Sequence, residues 1–186
     1  MIVSFTGAQS TGKSTLLEEC KKDGRFNGFT FQHEVTRWVK KTYDLTINEN
    51  GDELTQLAIL AKHLDNYLVY RNKDVVMDRC ILDGLVYTTY LYAGPNQTVN
   101  EEVYDYAEFL FKTLINKIDI IFYAEPEIPL VDDGERSVNT EFRDGIVKLF
   151  EEAIKHFKIP VVRLTGSKKE RMAIIYKTLD DLKYGK

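Results

Sequence analysis

Cysteine is scarce in this sequence. Its 186 residues hold two, Cys20 and Cys80, too few for a disulfide framework in a chain of this size. Free thiols in a reducing, cytoplasmic setting are expected. Long hydrophobic runs are missing too: none approaches the ~20 residues that span a bilayer, so no membrane partner is expected. The stretch Met1–Thr6 is apolar but short, lacks a basic start and runs into a glycine motif, unlike a signal peptide. The sequon Asn96-Gln97-Thr98 then carries no meaning. Positive charge is short as well. Lys and Arg total 25 against 29 Asp and Glu, a net charge of −4; a general nucleic-acid coat would need a basic face, so nucleic acid is not an expected partner. There is no internal repeat, linker or low-complexity tract. With 44% hydrophobic and 29% charged residues, disordered and fibrous classes are excluded. One domain spanning residues 1–186 is expected.

Short β-rich runs alternate with helical periods. Ile2–Thr6, Phe29–His33, Val75–Met77, Ile118–Tyr123 and Pro160–Leu164 read as strands. Leu54, Leu57, Ala58, Ala61, Leu64 and Leu68 share one helical face; so do Val103, Ala107, Leu110, Phe111 and Leu114. The longest stripe is Phe142, Ile146, Leu149, Phe150, Ala153, Ile154 and Phe157. Such alternation predicts an α/β fold with a parallel sheet covered by helices on both faces. Ligands in such folds bind beyond the carboxyl ends of the strands, so the residues following each strand carry the functional information.

After the first strand comes Gly7-Ala8-Gln9-Ser10-Thr11-Gly12-Lys13-Ser14, which satisfies G-x-x-x-x-G-K-[ST] and opens a predicted helix over Ser14–Lys22. The glycines let the backbone wrap a phosphate, and successive N–H groups with the helix N-terminus face the anion. Gly7, Gln9, Ser10, Thr11, Gly12, Lys13, Ser14 and Thr15 are the candidate ATP-binding residues. Lys13 would reach the β- and γ-phosphates, and the Ser14 hydroxyl would ligate Mg²⁺. The bland alternative is a glycine-rich turn capping a helix.

The third strand ends in Asp78-Arg79. A hydrolytic ATPase would often place Glu after the Asp, to polarise water. Arg79 suits transfer to a substrate better: Asp78 can hold Mg²⁺ or its waters, and Arg79 can clamp an anionic group. Glu34-Val35-Thr36-Arg37 follows the second strand; Glu34 could accept a hydroxyl proton and Arg37 could bind the acceptor. After the fourth strand, the connection at about 125–143 carries Asp132-Asp133-Gly134-Glu135-Arg136 and leads to Arg143. A lid bearing arginines would exclude water and set a cation on the transferring group. Arg136 is the candidate for that cation and Arg143 for acceptor binding. Thr165-Gly166-Ser167-Lys168 either lies against the adenine or is a plain turn and helix cap. Asn116-Lys117-Ile118-Asp119 matches a guanine-reading string but precedes its strand, at the wrong edge of the sheet. His33, His63 and His156 lack partners at metal-ligand spacing. Tyr87, Tyr90, Tyr92 and Trp38 read as packing residues, any one of which could stack on a base.

In this order, the phosphate loop, Glu34-x-x-Arg37, Asp78-Arg79-Cys80-Ile81-Leu82-Asp83 with Tyr87, and Asp132-Asp133-Gly134-Glu135-Arg136 resemble the AAA-like ATP-binding domain of the nicotinamide riboside kinase type, found in bifunctional regulators of NAD biosynthesis. They are also similar to deoxynucleoside and thymidylate kinases, and a lone copy looks like the nucleotide-metabolism kinases of large phages. The resemblance covers nearly the whole chain. It implies a P-loop NTPase three-layer sandwich with a five-stranded parallel sheet and a lid, Mg²⁺-ATP as donor and a nucleoside or nucleotide as acceptor. The catalytic candidates are Lys13, Glu34, Asp78 and Arg136, with either Glu34 or Asp78 orienting the acceptor hydroxyl. Glu34, Arg37, Arg79 and Arg143 are the acceptor-binding candidates; Ser14 and Asp78 are those for metal. Two rival readings are an ATP-dependent switch without small-molecule kinase activity and a kinase acting on a nucleic-acid hydroxyl.

Overall fold

The computed structural model describes residues 1–129 and 139–184. Its centre is β1, Ile2–Thr6, buried at every position. Parallel strands on both sides explain that burial. β3, Val75–Asp78, and β4, Ile120–Ala124, flank β1; β2, Thr30–Gln32, and β5, Val162–Leu164, form the edges, giving the order β2-β3-β1-β4-β5. Every pairing is parallel, so each connection crosses over a face through helix, as parallel sheets require.

Alternation within β1 divides the core. Val3 and Phe5 face one side, packing with Leu16 and Leu17 of α1, Lys13–Cys20, and Met172, Ile175 and Leu179 of α7, Lys168–Tyr184. The other face is covered by α4, Ile81–Ala93, α5, Glu101–Leu114, and α6, Thr140–His156. There the predicted stripes are buried: Ala107, Leu110 and Phe111 of α5 meet Phe142, Ile146 and Phe150 of α6 in one cluster. α2, Val35–Tyr43, and α3, Glu53–Tyr70, close the β2–β3 end. Side-chain oxygens of Asp52, Asn100 and Asn139 accept from Thr55 N, Val103 N and Phe142 N and start α3, α5 and α6.

One stripe turns the opposite way. On α3, Leu54, Leu57, Ala61 and Leu68 are exposed, whereas Thr55, Gln56, Ile59, Leu60, His63 and Asn66 are buried. The helix therefore directs polar side chains inward and leaves much of its leucine face to solvent. Strand boundaries moved by one or two residues; β4 begins at Ile120 rather than Ile118. The expected lid is described only at its ends. Residues 130–138, including Arg136 and the Asp132-Asp133-Gly134-Glu135 turn, lie outside the described residues. Among the described residues no helix is long and apolar enough to cross a membrane.

Candidate active site

The carboxyl ends of β1 and β3 lie side by side, with Phe5 opposite Asp78, so the loop after β1 and the pair after β3 share one rim. The loop turns at Gly7, φ +127°, where an added Cβ would sit 2.9 Å from the Ala124 carbonyl oxygen. It enters α1 at Gly12, φ +83°, with no side-chain cap. A Cβ on Gly12 would come within 2.8 Å of Ile128 Cδ1. Both glycines are thus required by their positive φ, and Gly7 also by its close approach to backbone, whereas the Ile128 methyl facing Gly12 could move aside. α1 thus starts at a glycine that offers no side-chain cap, and a helix N-terminus is where an anion binds.

Lys13 is buried beneath this loop. Its ammonium donates to Gly7 O at 2.7 Å, Ala8 O at 2.6 Å and Thr11 Oγ1 at 3.2 Å. Burial first, and then the nearby Arg79 charge, push its pKa down to about 7. A phosphate arriving at the loop would supply the counter-charge that carbonyls provide only in part.

Arg79 holds the β3 side together. It sits at φ +74°, a sparsely populated conformation for a side chain of this size, retained where surroundings over-determine it. Its Nε donates to Glu34 Oε1 at 2.8 Å and its Nη1 to Asp83 Oδ1 at 3.0 Å. Its guanidinium also lies over the Tyr87 ring, 5.3 Å from the centroid. Asp83 in turn accepts from Thr6 Oγ1 at 2.7 Å and Cys80 N at 3.0 Å. Burial works to raise the Glu34 pKa, but Arg79, Lys13 and Arg37 overcome it and keep the carboxyl below its usual range. Arg37 Nε lies 3.0 Å from Glu34 Oε2. Asp78 behaves oppositely: burial and the Glu34 charge raise it to about 6. Of the two candidates for the acceptor's base, Glu34 holds its charge to lower pH, whereas Asp78 takes up a proton as the pH falls toward about 6.

Gln9, Ser10, Thr11, Gly12, Lys13, Ser14, Glu34, Asp78 and Arg79 line one small cavity. The structure therefore brings together most of the residues singled out from the sequence. Thr15 does not line it and is exposed on the first turn of α1. Arg143 does not reach it either: its Nη2 donates to Pro126 O at 3.3 Å and Ile128 O at 2.6 Å, holding the segment that leaves β4. Ser14 and Asp78 supply a hydroxyl and a carboxylate to the same cavity, hard oxygen donors that fit Mg²⁺. No group of three His, Cys, Asp or Glu side chains among the described residues could cage a metal.

A second, narrow cleft adjoins the first, lined by Thr36, Asn48, Gln56, Ile59, His63, Arg79, Asp83, Gly84 and Tyr87. Here lie the inward polar residues of α3. Gln56 Oε1 accepts from Thr88 Oγ1 at 3.2 Å, and burial drives His63 down to about 4, so it is neutral. Sequence reasoning passed over Gln56 because no motif surrounds it, and read His63 as a surface or satisfied residue without metal partners.

Arg171 was also missed. It is fully buried on α7. Its guanidinium donates to Gly166 O at 2.9 Å, Thr11 O at 2.8 Å, Glu125 O at 3.2 Å and Glu127 Oε2 at 2.9 Å. It joins the phosphate loop, the segment after β4 and the turn after β5. The sequence signal was weak, a single arginine within a charged helix start.

Residues 2–171 match one family along nearly the whole chain. The chain belongs to the AAA_28 family of AAA domains. No curated protein matches this sequence. Among solved structures, the chain resembles NadR in complex with NR, with a TM-score of 0.73 and 18% identity over 96% of this chain and 51% of that one. It also resembles NadR in complex with NAD and AMP-PNP, with a TM-score of 0.67 and 18% identity over 96% and 49%. A third likeness is to deoxyadenosine kinase from M. mycoides with bound dCTP, with a TM-score of 0.68 and 18% identity over 97% of this chain and 100% of that one. The chain spans about half the length of the NadR chains. At this identity the likeness establishes the fold alone: a five-stranded parallel sheet with helices on both faces.

Proposed function

We propose that this AAA_28 chain transfers the γ-phosphoryl group of ATP to a hydroxyl of a nucleoside. The observation that carries the reading is the Glu34–Arg79–Asp83 network: Glu34 sets an ionised carboxylate in the phosphate cavity, and Arg79 and Asp83 line the polar cleft beside it. The solved relatives support the reading through what they hold: NR and AMP-PNP in NadR, dCTP in the deoxyadenosine kinase.

Charge favours a nucleoside over a nucleoside monophosphate. Arg79 is the only cationic side chain lining the acceptor cleft among the described residues, and Glu34 and Asp83 already engage it. A phosphate there would add about two negative charges beside the Glu34 and Asp83 carboxylates, and both nearby arginines, Arg79 and Arg37, are already paired with Glu34. In the reaction, the P-loop amides and Lys13 bind the triphosphate. Ser14 and Asp78 would hold Mg²⁺, which would supply charge neutralisation to the triphosphate. Glu34 accepts the proton of the acceptor hydroxyl, and Arg79 fixes the attitude of Glu34. Gln56, His63 and Tyr87 line the space for the base.

Phosphoryl transfer from labelled ATP across a panel of nucleosides and their 5′-monophosphates tests this. Transfer to one or more nucleosides is expected, with the monophosphates inert. Transfer to monophosphates alone would overturn the charge argument, and ATP hydrolysis without any acceptor would overturn the kinase reading.

A further inference from the structure

Gln9 is almost fully buried in the phosphate loop, yet its Nε2 has no hydrogen-bond partner. The attitude of its amide follows from its neighbours. Arg79 Nη1 donates to Tyr87 Oη at 3.4 Å, and the Tyr87 hydroxyl donates to Gln9 Oε1 at 3.2 Å. A guanidinium cannot accept, so the single phenolic proton passes on to the amide oxygen. Donation thus runs from Arg79 through Tyr87 to Gln9 and leaves the Gln9 NH₂ as a donor lacking an acceptor. Buried donors are rarely left so. This one belongs to a side chain lining the anion cradle with Ser10, Gly12, Lys13 and Ser14.

We infer that the Gln9 carboxamide is the donor that meets the γ-phosphoryl group, with Tyr87 as the residue that positions it. The assignment deepens the kinase reading and rests on it for the identity of the anion. The α- and β-phosphates are served by the backbone amides that wrap the loop and by the N-terminus of α1. Gln9 instead touches Tyr87, which lines the acceptor cleft, so its free amide stands between the two cavities, where the transferring group must pass. The chain of donors begins at Arg79, the partner of Glu34. Donor and acceptor sides therefore share one hydrogen-bonded line, and Gln9 reads whether a third phosphate is present.

The test compares binding of Mg²⁺-AMP-PNP and Mg²⁺-ADP by calorimetry, which needs no acceptor. Wild-type protein is expected to prefer the triphosphate analogue. Gln9→Met should weaken AMP-PNP binding by about ten- to a hundredfold, the range for a lost hydrogen bond to a charged group, and leave ADP binding within about twofold. Retained ADP binding also shows that the loop is folded. Tyr87→Phe keeps the amide but frees its attitude, so the same split is expected at about three- to tenfold. Equal losses for both nucleotides would reduce Gln9 to a shaper of the loop and overturn the inference. So would no loss for either, or a wild type indifferent to the third phosphate. If no nucleoside is phosphorylated while the AMP-PNP split persists, the kinase reading fails and the Gln9 assignment stands.

Discussion

The two rims of the sheet differ in what they bury. At the amino ends of β4 and β5 lies a cavity of about 670 Å³, walled by Phe111, Ile115, Ile118, Phe157, Ile159 and Val161. At the carboxyl ends the acceptor cleft measures only about 20 Å³ and the phosphate cradle about 10 Å³. Volume therefore favours the wrong rim. Among the described residues, no buried charged side chain lines the large cavity, whereas Lys13 and Arg79 are buried at the carboxyl rim with Asp83. Burying a charge is costly unless it is paired and hydrogen-bonded. A fold that gathers several charges at one rim sustains that cost where chemistry needs it. The large cavity reflects where α5, α6 and α7 end. The small ones reflect where ligands would complete the packing.

Lys13→Ala should separate the rims most sharply. Phosphoryl transfer is expected to fall a thousandfold or more, because the substitution removes positive charge from the transferring group. Stability should hold. Burial and Arg79 already push the ammonium down to about 7, so below that pH the fold carries a charge it disfavours. Turnover and Tm measured together at pH 6 check both halves. A large fall in Tm would make Lys13 a structural residue.

Arg171→Met should rank next. It leaves the carbonyls of Thr11, Glu125 and Gly166 without their donor. A cost of about 2–4 kcal/mol is expected from unpaired buried groups. The ATP KM should rise about tenfold as Thr11 loosens, with the acceptor KM little changed. Steady-state kinetics beside urea denaturation test this, and an unchanged ATP KM would confine Arg171 to stability.

These residues also mark how far the sequence was legible. The phosphate loop, the Asp78-Arg79 pair and Glu34 lie next to strand ends, and strand ends in a parallel sheet share a rim, so local reading sufficed. The α5 and α6 stripes are core because hydrophobic residues there have only the core to face. On α3 the same reasoning failed. The leucines share a face as expected, but Gln56 and His63 take the inward positions, on the side that borders the polar cleft proposed for the acceptor. A helix lining a polar site can bury its polar residues, and periodicity alone does not tell which face is inner. Arg143 and Arg171 were beyond sequence reading for another reason. Their roles depend on backbone carbonyls brought in from distant segments, and carbonyls leave no trace in a sequence.

Asp78 gives a smaller, pH-dependent effect. Its pKa rises from 3.8 to about 6 through burial and the Glu34 charge. Between about pH 4 and 6 the folded protein retains a proton that the unfolded chain has released. Stability contributed by this group is therefore full below about pH 4 and lost as pH rises through about 6. The loss is about 3 kcal/mol, at about 1.4 kcal/mol per pKa unit. Asp78→Asn should flatten that part of the stability profile, and saturating Mg²⁺ should flatten it for the wild type by favouring the carboxylate. Denaturant unfolding at several pH values reads the slope. A wild-type profile that is level from pH 4 to 6 would remove Asp78 from the metal site's electrostatics.

The smallest effects belong to the opposite rim, and they test whether position outweighs motif. Asn116-Lys117-Ile118-Asp119 carries the letters of a guanine-reading string, yet Asn116 and Asp119 line the large cavity at the amino ends of the strands. Asp119 is occupied there: its Oδ2 accepts from Ile2 N at 2.6 Å, and its own N–H donates to Ile2 O at 2.9 Å. That pairing ties the start of β1 to the start of β4, a structural task at the far end of β1 from Lys13. Asp119→Ala should cost about 1 kcal/mol of stability, the worth of one such bond, and leave turnover within about twofold. Asn116→Ala, with no such bond to lose, should change neither. The ratio of ATP to GTP turnover should be the same for wild type and both variants. A shift toward ATP in either variant would mean that the amino rim reads the base, and the contrast between the two rims would collapse.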